Sequence, residues 1–512
     1  MPRWDFTYRY AGHEITQQRV SATWTERASV LSPTAFISSV NVQINPPFDF
    51  AATAANANPH SGYGELKRVD DAGNSRTVFR GRWTSVSFGG ADDPVQITIR
   101  RAASDDNSTI PETYVMERAT IADALENWQT AISAGRPFVS NDTWPDATYT
   151  PAIPDKGRAY TMVFGGPGDT GNPGSPGVMI DQAGGLYRIM IAGHHVERQA
   201  FKWWYPQMAN GPNAGGSGTT DTLRTLTFTA SDIEHVQDNR GRVVAIFDLD
   251  PAAGNADLDV DRVGGYYMAW TGGDATPGGA GDVIRRVMRW SSVPFDHHRS
   301  AAALDRLNEY QLDGYIDQPV PPLEWVTRTL MPLLPASLHS GVDGVYIKLW
   351  PWLDGGDEAA FIITTGTDFA PASLVTYSTT SASSVTLMYK WRPDVSTYVG
   401  ETTASIDQSL FARIAWGLNL KSETLETRAV WDDATAQTIV RDRIRYGALP
   451  ARTRRYLVDP SRYGIGGTHE LRVGMPIKIT DAEVSWSGLL AWIDEIERTA
   501  DAMSVTVRIK EW

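Results

Sequence analysis

Apolar and polar residues alternate along most of the first hundred positions of the chain. WDFTYRY at 4–10 and SVNVQI at 39–44 carry the period of two that puts one face of a strand in a core. GYGELKRV, the turn residues DDAGN, TVFRGRWTSVSFGG and DDPVQITIRR follow as a meander, broken where side chains favour turns. The period then changes. Ile121, Leu125, Trp128 and Ile132 recur at helical spacing, with Gly135 placed as a stop. The stretch NDTWPDATYTPAIPDKG at 141–157 reads as a proline-rich connector.

A second block opens with YTMVFG, passes through GGPGDTGNPGSPG at 165–177, and leaves by VMIDQAGGLYRIMIAGHHVE. TLRTLTFTA and RVVAIFDLD continue it as strands. From about Asp282 to Leu338 the segments VIRRVMRW, AAALDRLNEY and PPLEWVTRTLMPLL carry helical spacing, and Pro332 is expected to kink or shorten the last. Beyond Gly344, strands resume in VYIKLW, AFIITTG, SLVTYS and SVTLMYKW. One helix is predicted from about Asp433 to Tyr446, stopped by Gly447, and the last 40 residues alternate as a closing β-unit. No repeat of fixed period is visible.

Composition narrows the classes. The 512 residues are 42% hydrophobic and 21% charged, as in folded proteins, and the 45 glycines and 30 prolines are spread along the length. With no cysteine, disulfides, thiolate metal sites and iron–sulfur clusters are excluded, which fits assembly in a reducing cytosol. A net charge of −14 gives no overall attraction for phosphate backbones. The N-terminus MPRWDFTYRYAGHE has no apolar core of a signal peptide. The charge-free run Phe369–Tyr389 is too polar to span a bilayer, so a soluble chain is expected.

Candidate chemistry is sparse. The run at 165–177 lacks the Lys-Ser/Thr pair of a phosphate loop and has too few triplets for a triple helix. It reads as a surface hairpin loop, mobile or ordered by contact, that cannot join a ladder; deleting Asp169–Ser175 is then expected to leave folding nearly intact. In HHVE, alternation could aim only His195 and Glu197 at one metal, leaving His194 aside, and His297–His298 offers no more. DLDPAAGNADLDVD at 248–261 fails the EF-hand spacing, with Ala253 in place of the glycine and Asp259 in place of the glutamate. It reads as an acidic turn and a strand with Asp257, Asp259 and Asp261 on one face, leaving an irregular cation site open. The basic cluster Arg441, Arg443, Arg445, Arg452, Arg454, Arg455 and Arg462, with Asp442 and Asp459 among it, reads as a solvated face or a surface for an acidic neighbour. The 18 tryptophans could line a sugar groove, but Trp128, Trp290 and Trp325 sit on apolar helical faces that suit a core.

Taken in order, VFRGRWTSVSFGGADDPVQITI, GRAYTMVFG, a glycine loop, LYRIMIAGHHV, helices around YQLDGYI, and GMPIKITDAEV with LLAWIDEIERTADAMSVTVRI resemble the baseplate hub proteins of tailed bacteriophages. The nearest relatives by this resemblance are hubs of long-tailed phages and gene-transfer-agent tails. It implies a mainly β, multidomain (α+β) chain: two tube-like β-barrel domains with a helical insertion domain. The expected parts are an N-terminal barrel with one helix at 1–150, a second β domain with the glycine loop at 151–270, a peripheral helical domain at 271–343, and a second barrel with one helix at 344–512. It implies a homotrimer on the tail axis in the virion, assembled in the host cytoplasm, with tube proteins above, tip or fibre proteins below, and phage DNA in transit. It implies no enzyme and no catalytic, cofactor or metal residue. Positive charge at Arg285, Arg286, Arg289, Arg299 and Arg306 argues for keeping the helices away from the bore. The rival reading is a tail-associated protein that binds or hydrolyses carbohydrate.

Overall fold

A computed structural model describes residues 3–10, 13–27, 34–35, 39–45, 62–69, 72–87, 94–100, 161–183, 186–206, 223–237, 243–249, 267–341, 344–350, 362–377, 384–405, 422–447, 451–465, 469–498 and 502–510. Strands dominate them. The predicted helix at 121–135, the connector at 141–157 and Asp257, Asp259 and Asp261 lie outside the described residues.

The alternating N-terminal segments form strands Arg3–Tyr10, His13–Gln18, Ser21–Arg27, Ser39–Ile44, Tyr63–Val69, Ser75–Ser87 and Val95–Arg100. Their apolar positions, among them Phe6, Val42, Leu66, Phe79, Trp83, Ile97 and Ile99, share one buried core. At the other end, Ala451–Val458, Pro476–Asp481, Trp486–Arg498 and Met503–Lys510 enclose a second core containing Tyr456, Ile477, Ile493, Val505 and Val507.

These two ends repeat one motif. In the first, Tyr63–Val69, Ser75–Ser87, Val95–Arg100 and Ser39–Ile44 lie side by side in that order, all antiparallel. In the second, Pro476–Asp481, Trp486–Arg498, Met503–Lys510 and Ala451–Val458 do the same. Each has a 13-residue strand at its centre. The bulges match as well. Pairing skips Thr84 between Trp83↔Ile99 and Ser85↔Thr98, and skips Asp494 between Ile493↔Val507 and Glu495↔Thr506. The other edge shifts after Leu66 in one unit and after Ile479 in the other. Bulges set twist and register, so their coincidence marks equivalent backbones. The repeat that the sequence reading did not find is therefore present in the backbone.

Between the ends lie two four-stranded sheets. One runs Ser175–Pro176, Tyr267–Trp270, Phe201–Pro206, Leu223–Phe228; the other runs Val178–Ala183, Leu186–Ala192, Val243–Leu249, Glu234–Gln237. Phe201, Trp203, Phe247, Met268 and Trp270 pack together in their core. Helices Ala280–Met288 and His297–Leu307 form where the spacing predicts them. The third predicted helix is shorter: Pro322–Trp325 continues as a π turn over Val326–Leu330 and stops before Pro332. Leu338 is not helical but lies in strand Ala336–Gly341, which pairs with Gly344–Leu349. Helix residues Val283, Ile284 and Leu304 share a core with Leu338, Ile347, Val385, Leu387 and Ile439, the last on helix Asp433–Gly447.

Candidate functional site

The feature that joins the two ends is strand Ser21–Arg27. Its first half pairs with the outer strand of the first unit, Ser21↔Gln43 to Thr23↔Asn41. Its second half runs on and pairs with the long strand of the second unit, Trp24↔Arg498 to Arg27↔Glu495. One 14-stranded sheet results. Within the second unit, Arg454 is nearly buried between two acids: Nη1 donates to Asp481 Oδ2 at 2.6 Å and Nη2 to Glu483 Oε2 at 2.5 Å. Asp481 also accepts from the Tyr456 hydroxyl at 2.7 Å. Burial, with the Asp481 carboxylate beside it, holds the Tyr456 hydroxyl well above the usual phenol range.

The glycine loop departs from expectation. Ser175–Pro176 pairs with Tyr267–Met268 in the sheet, so the segment does join a ladder. Trp270 N–H donates to Pro167 O at 3.3 Å and Gly174 N–H to Met268 O at 2.9 Å. The Asp169 carboxylate accepts from the backbone of Gly171 at 2.7 Å and Asn172 at 2.8 Å. Glycine is needed here for close approach: a Cβ on Gly174 would lie 2.0 Å from Gly168 N, and Gly168 itself has φ +96°. The turn residues fold the loop onto the sandwich instead of keeping it out of the ladder. Asp313, beyond the helix pair, anchors the loop's start by accepting from Gly166 N–H at 2.9 Å. Burial pushes its carboxyl up to about 6, aided by Asp274 and Asp432. Nothing in the sequence spacing pointed to Asp313.

The histidines are placed differently too. His194 lies against the strand start, with Nε2 accepting from Val163 N–H at 2.9 Å and Nδ1 bonding His195 O at 2.8 Å; burial pushes it down to about 4. His195 stacks on His235, centroids 4.2 Å apart. His297 and His298 begin a helix. Among the described residues no group of three or more His, Asp or Glu side chains is placed to hold a metal ion. Of the 248–261 segment only Asp248 and Leu249 are described, at the end of a strand.

The basic cluster is not one solvated face. Arg443 pairs with Glu423 at 2.8 Å, Arg462 with Asp368 at 2.8 Å, and Arg455 with Glu497. With Arg454 on Asp481, the acidic neighbours are in the same chain. The Arg445 side chain lies outside the described residues, and Arg441 is exposed. The helical arginines are engaged likewise: Arg285 with Asp282 and Asp305, Arg306 with Glu309, and Arg299 over the Tyr346 ring. Tryptophans 83, 203, 204, 270, 325, 350, 431, 486 and 492 are buried, which removes them from any sugar groove; Trp290 is exposed.

No protein-family model matches the chain, and no curated protein matches its sequence. Among solved structures it is similar to the 43 kDa tail protein of prophage MuSo2 from Shewanella oneidensis, at 9% identity and TM-score 0.40, covering 99% of this chain and 98% of that one. It is similar to a tail protein from Neisseria meningitidis, at 11% identity and TM-score 0.41, over 99% and 97% of the two chains. A chain from the virion of a native gene transfer agent is similar at 13% identity and TM-score 0.39, over 70% of this chain and 86% of that one. Among the described residues, no helix is long and apolar enough to cross a membrane.

Proposed function

We propose that this chain is a structural, non-enzymatic component of a bacteriophage tail, the baseplate or tail-tip hub. It continues the tail tube, adapts its sixfold symmetry to a threefold tip, and forms the channel through which the genome leaves. The observation that carries this reading is the repeated four-stranded unit, two per chain, joined in one sheet by Ser21–Arg27. Closed rings need repeated matched surfaces, so three copies present six like units to a sixfold ring. In this reading the two units are tube-like barrels, the helical part is an insertion, and tube proteins bind above with tip or fibre proteins below. A net charge of −14 supports a conduit that does not hold passing phosphates. The copy number per particle tests the reading: three per tail is expected, and six or twelve would overturn it.

A further inference from the structure

The second half of the long strand Trp486–Arg498 is covered on one side by Ser21–Arg27, in the register Glu495↔Arg27, Ile496↔Glu26, Glu497↔Thr25. The matching stretch of the first unit is Ser85–Ser87, which lies past the bulge at Thr84 as Glu495–Glu497 lies past the bulge at Asp494. The inner bond beside each is the same: Trp83 N–H to Gly62 O at 3.0 Å, and Ile493 N–H to Met475 O at 3.1 Å. On the corresponding side of Ser85–Ser87, no described strand is paired. An unpaired run of strand backbone beside a filled equivalent is a vacant acceptor for another strand.

The occupant can be placed by the same correspondence. Ser21–Thr23 lies on the outer strand of the first unit; on the outer strand of the second, that position is taken by Phe369–Pro371 and Thr376–Tyr377. Thr98 faces Asn41 in one unit and Thr506 faces Arg455 in the other, which makes Ser39 equivalent to Thr453. Continuing the Thr23↔Asn41 register by two residues sets Thr25 against Ser39, so Thr376, opposite Thr453, stands where Thr25 stands, and Tyr377 where Glu26 stands. Within one chain six strands, and so seven inter-strand spacings, separate Phe369–Pro371 from Ser75–Ser87, about 33 Å along the sheet at ordinary strand spacing, so the occupant is a second copy. The donating edge also has apolar surface to cover. Leu374, between the two short edge strands, is 85% exposed, and Leu457, opposite Ala370, is 51% exposed.

We infer that the Thr376–Tyr377 edge of one copy pairs with Ser85–Ser87 of the next, with Val86 opposite Tyr377 and Ser87 opposite Thr376. The contact is head-to-tail, and three repeats close it into a ring. This rests on the hub reading for the number of copies, but not for the register.

The chain has no cysteine, so a disulfide tests the register without background. The double variant Ser87→Cys, Thr376→Cys, oxidised and run unreduced, is expected to give covalent species up to three times the 56.2 kDa chain mass. Thr25→Cys with Glu497→Cys, opposite one another within the chain, is expected to give only an internally bridged monomer. Native trimers without the Ser87–Thr376 bridge would overturn the edge pairing and leave the threefold reading standing. Bridged rings of six would support the pairing and overturn the threefold closure. A chain that stays monomeric and unbridged at high concentration would overturn both.

Discussion

Trp83 and Ile493 occupy one and the same place in two copies of a motif. Each sits just before a bulge, and each donates its N–H to the residue leading into the neighbouring strand, Gly62 O and Met475 O. What differs is what lies beyond them. Glu495–Arg498 is covered by Ser21–Arg27, whereas Ser85–Ser87 has no described strand on that side. Amide exchange read by mass spectrometry should therefore be faster over 85–87 than over 495–497 in the isolated chain, by about tenfold or more. In the assembled ring the difference should shrink. Equal protection in the isolated chain would mean that the two edges are already alike.

Deleting Asp169–Ser175 should abolish soluble folded protein, since it removes the Ser175↔Met268 pairing and the Gly174–Met268 bond from the sandwich edge. Asp169→Ala is the milder test. It leaves two backbone donors without their carboxylate and should cost about 1–2 kcal/mol in denaturant unfolding. A deletion variant that folds and melts like the parent would restore the view of the loop as a surface appendage.

Arg454→Met should destabilise the chain by about 3–5 kcal/mol, because it strands the fully buried Asp481 carboxylate. Replacing both partners, Arg454→Met with Asp481→Asn, should recover much of that loss, since Asn still accepts from Tyr456. A double variant no better than the single one would show that the arginine acts mainly through packing.

Acid should weaken the fold through two histidines. Burial holds His194 down at about 4 and His339 at about 3, with Lys348 and Arg299 adding to the second. Both folded values lie below that of a free imidazole, so the unfolded chain takes up the protons. Their contribution is complete above about 6.5 and is lost as pH falls toward those values. Asp313 acts in the opposite sense. Its folded value of about 6 lies above the unfolded one, so stability falls as pH rises from about 4 to about 6. Asp313→Asn should raise Tm at pH 8, leave it little changed at pH 4, and steepen the acid loss between. A Tm that drops equally at both pH values would assign Asp313 to hydrogen bonding alone.

Much of the local structure was legible in the sequence. VQITIR and MSVTVR alternate cleanly, and both became the strand that follows the long central one. These two segments even echo one another, a trace of the repeat in the sequence. The rest of the motif is set by pairing order and bulge position, and many side chains satisfy those: Val40 sits in the first core where the second unit places Arg454. The arginine cluster was legible as charge but not as geometry, because Glu423, Asp368, Glu497 and Asp481 come from distant stretches. The loop at 165–177 was misread for a different reason. Glycine permits both freedom and very close packing, and composition alone cannot separate them.

Strand Ser21–Arg27 has a consequence for the order in which the molecule can be made. It is synthesised long before Trp486–Arg498, which holds the hydrogen-bonding partners of its second half. Until then the N-terminal sheet carries a bare edge, the kind that pairs with wrong chains. Closing it is a contact of very long sequence separation and so a slow one. A chain interrupted before Trp486–Arg498 would keep that edge unsatisfied, so correct closure reports that translation has passed that strand.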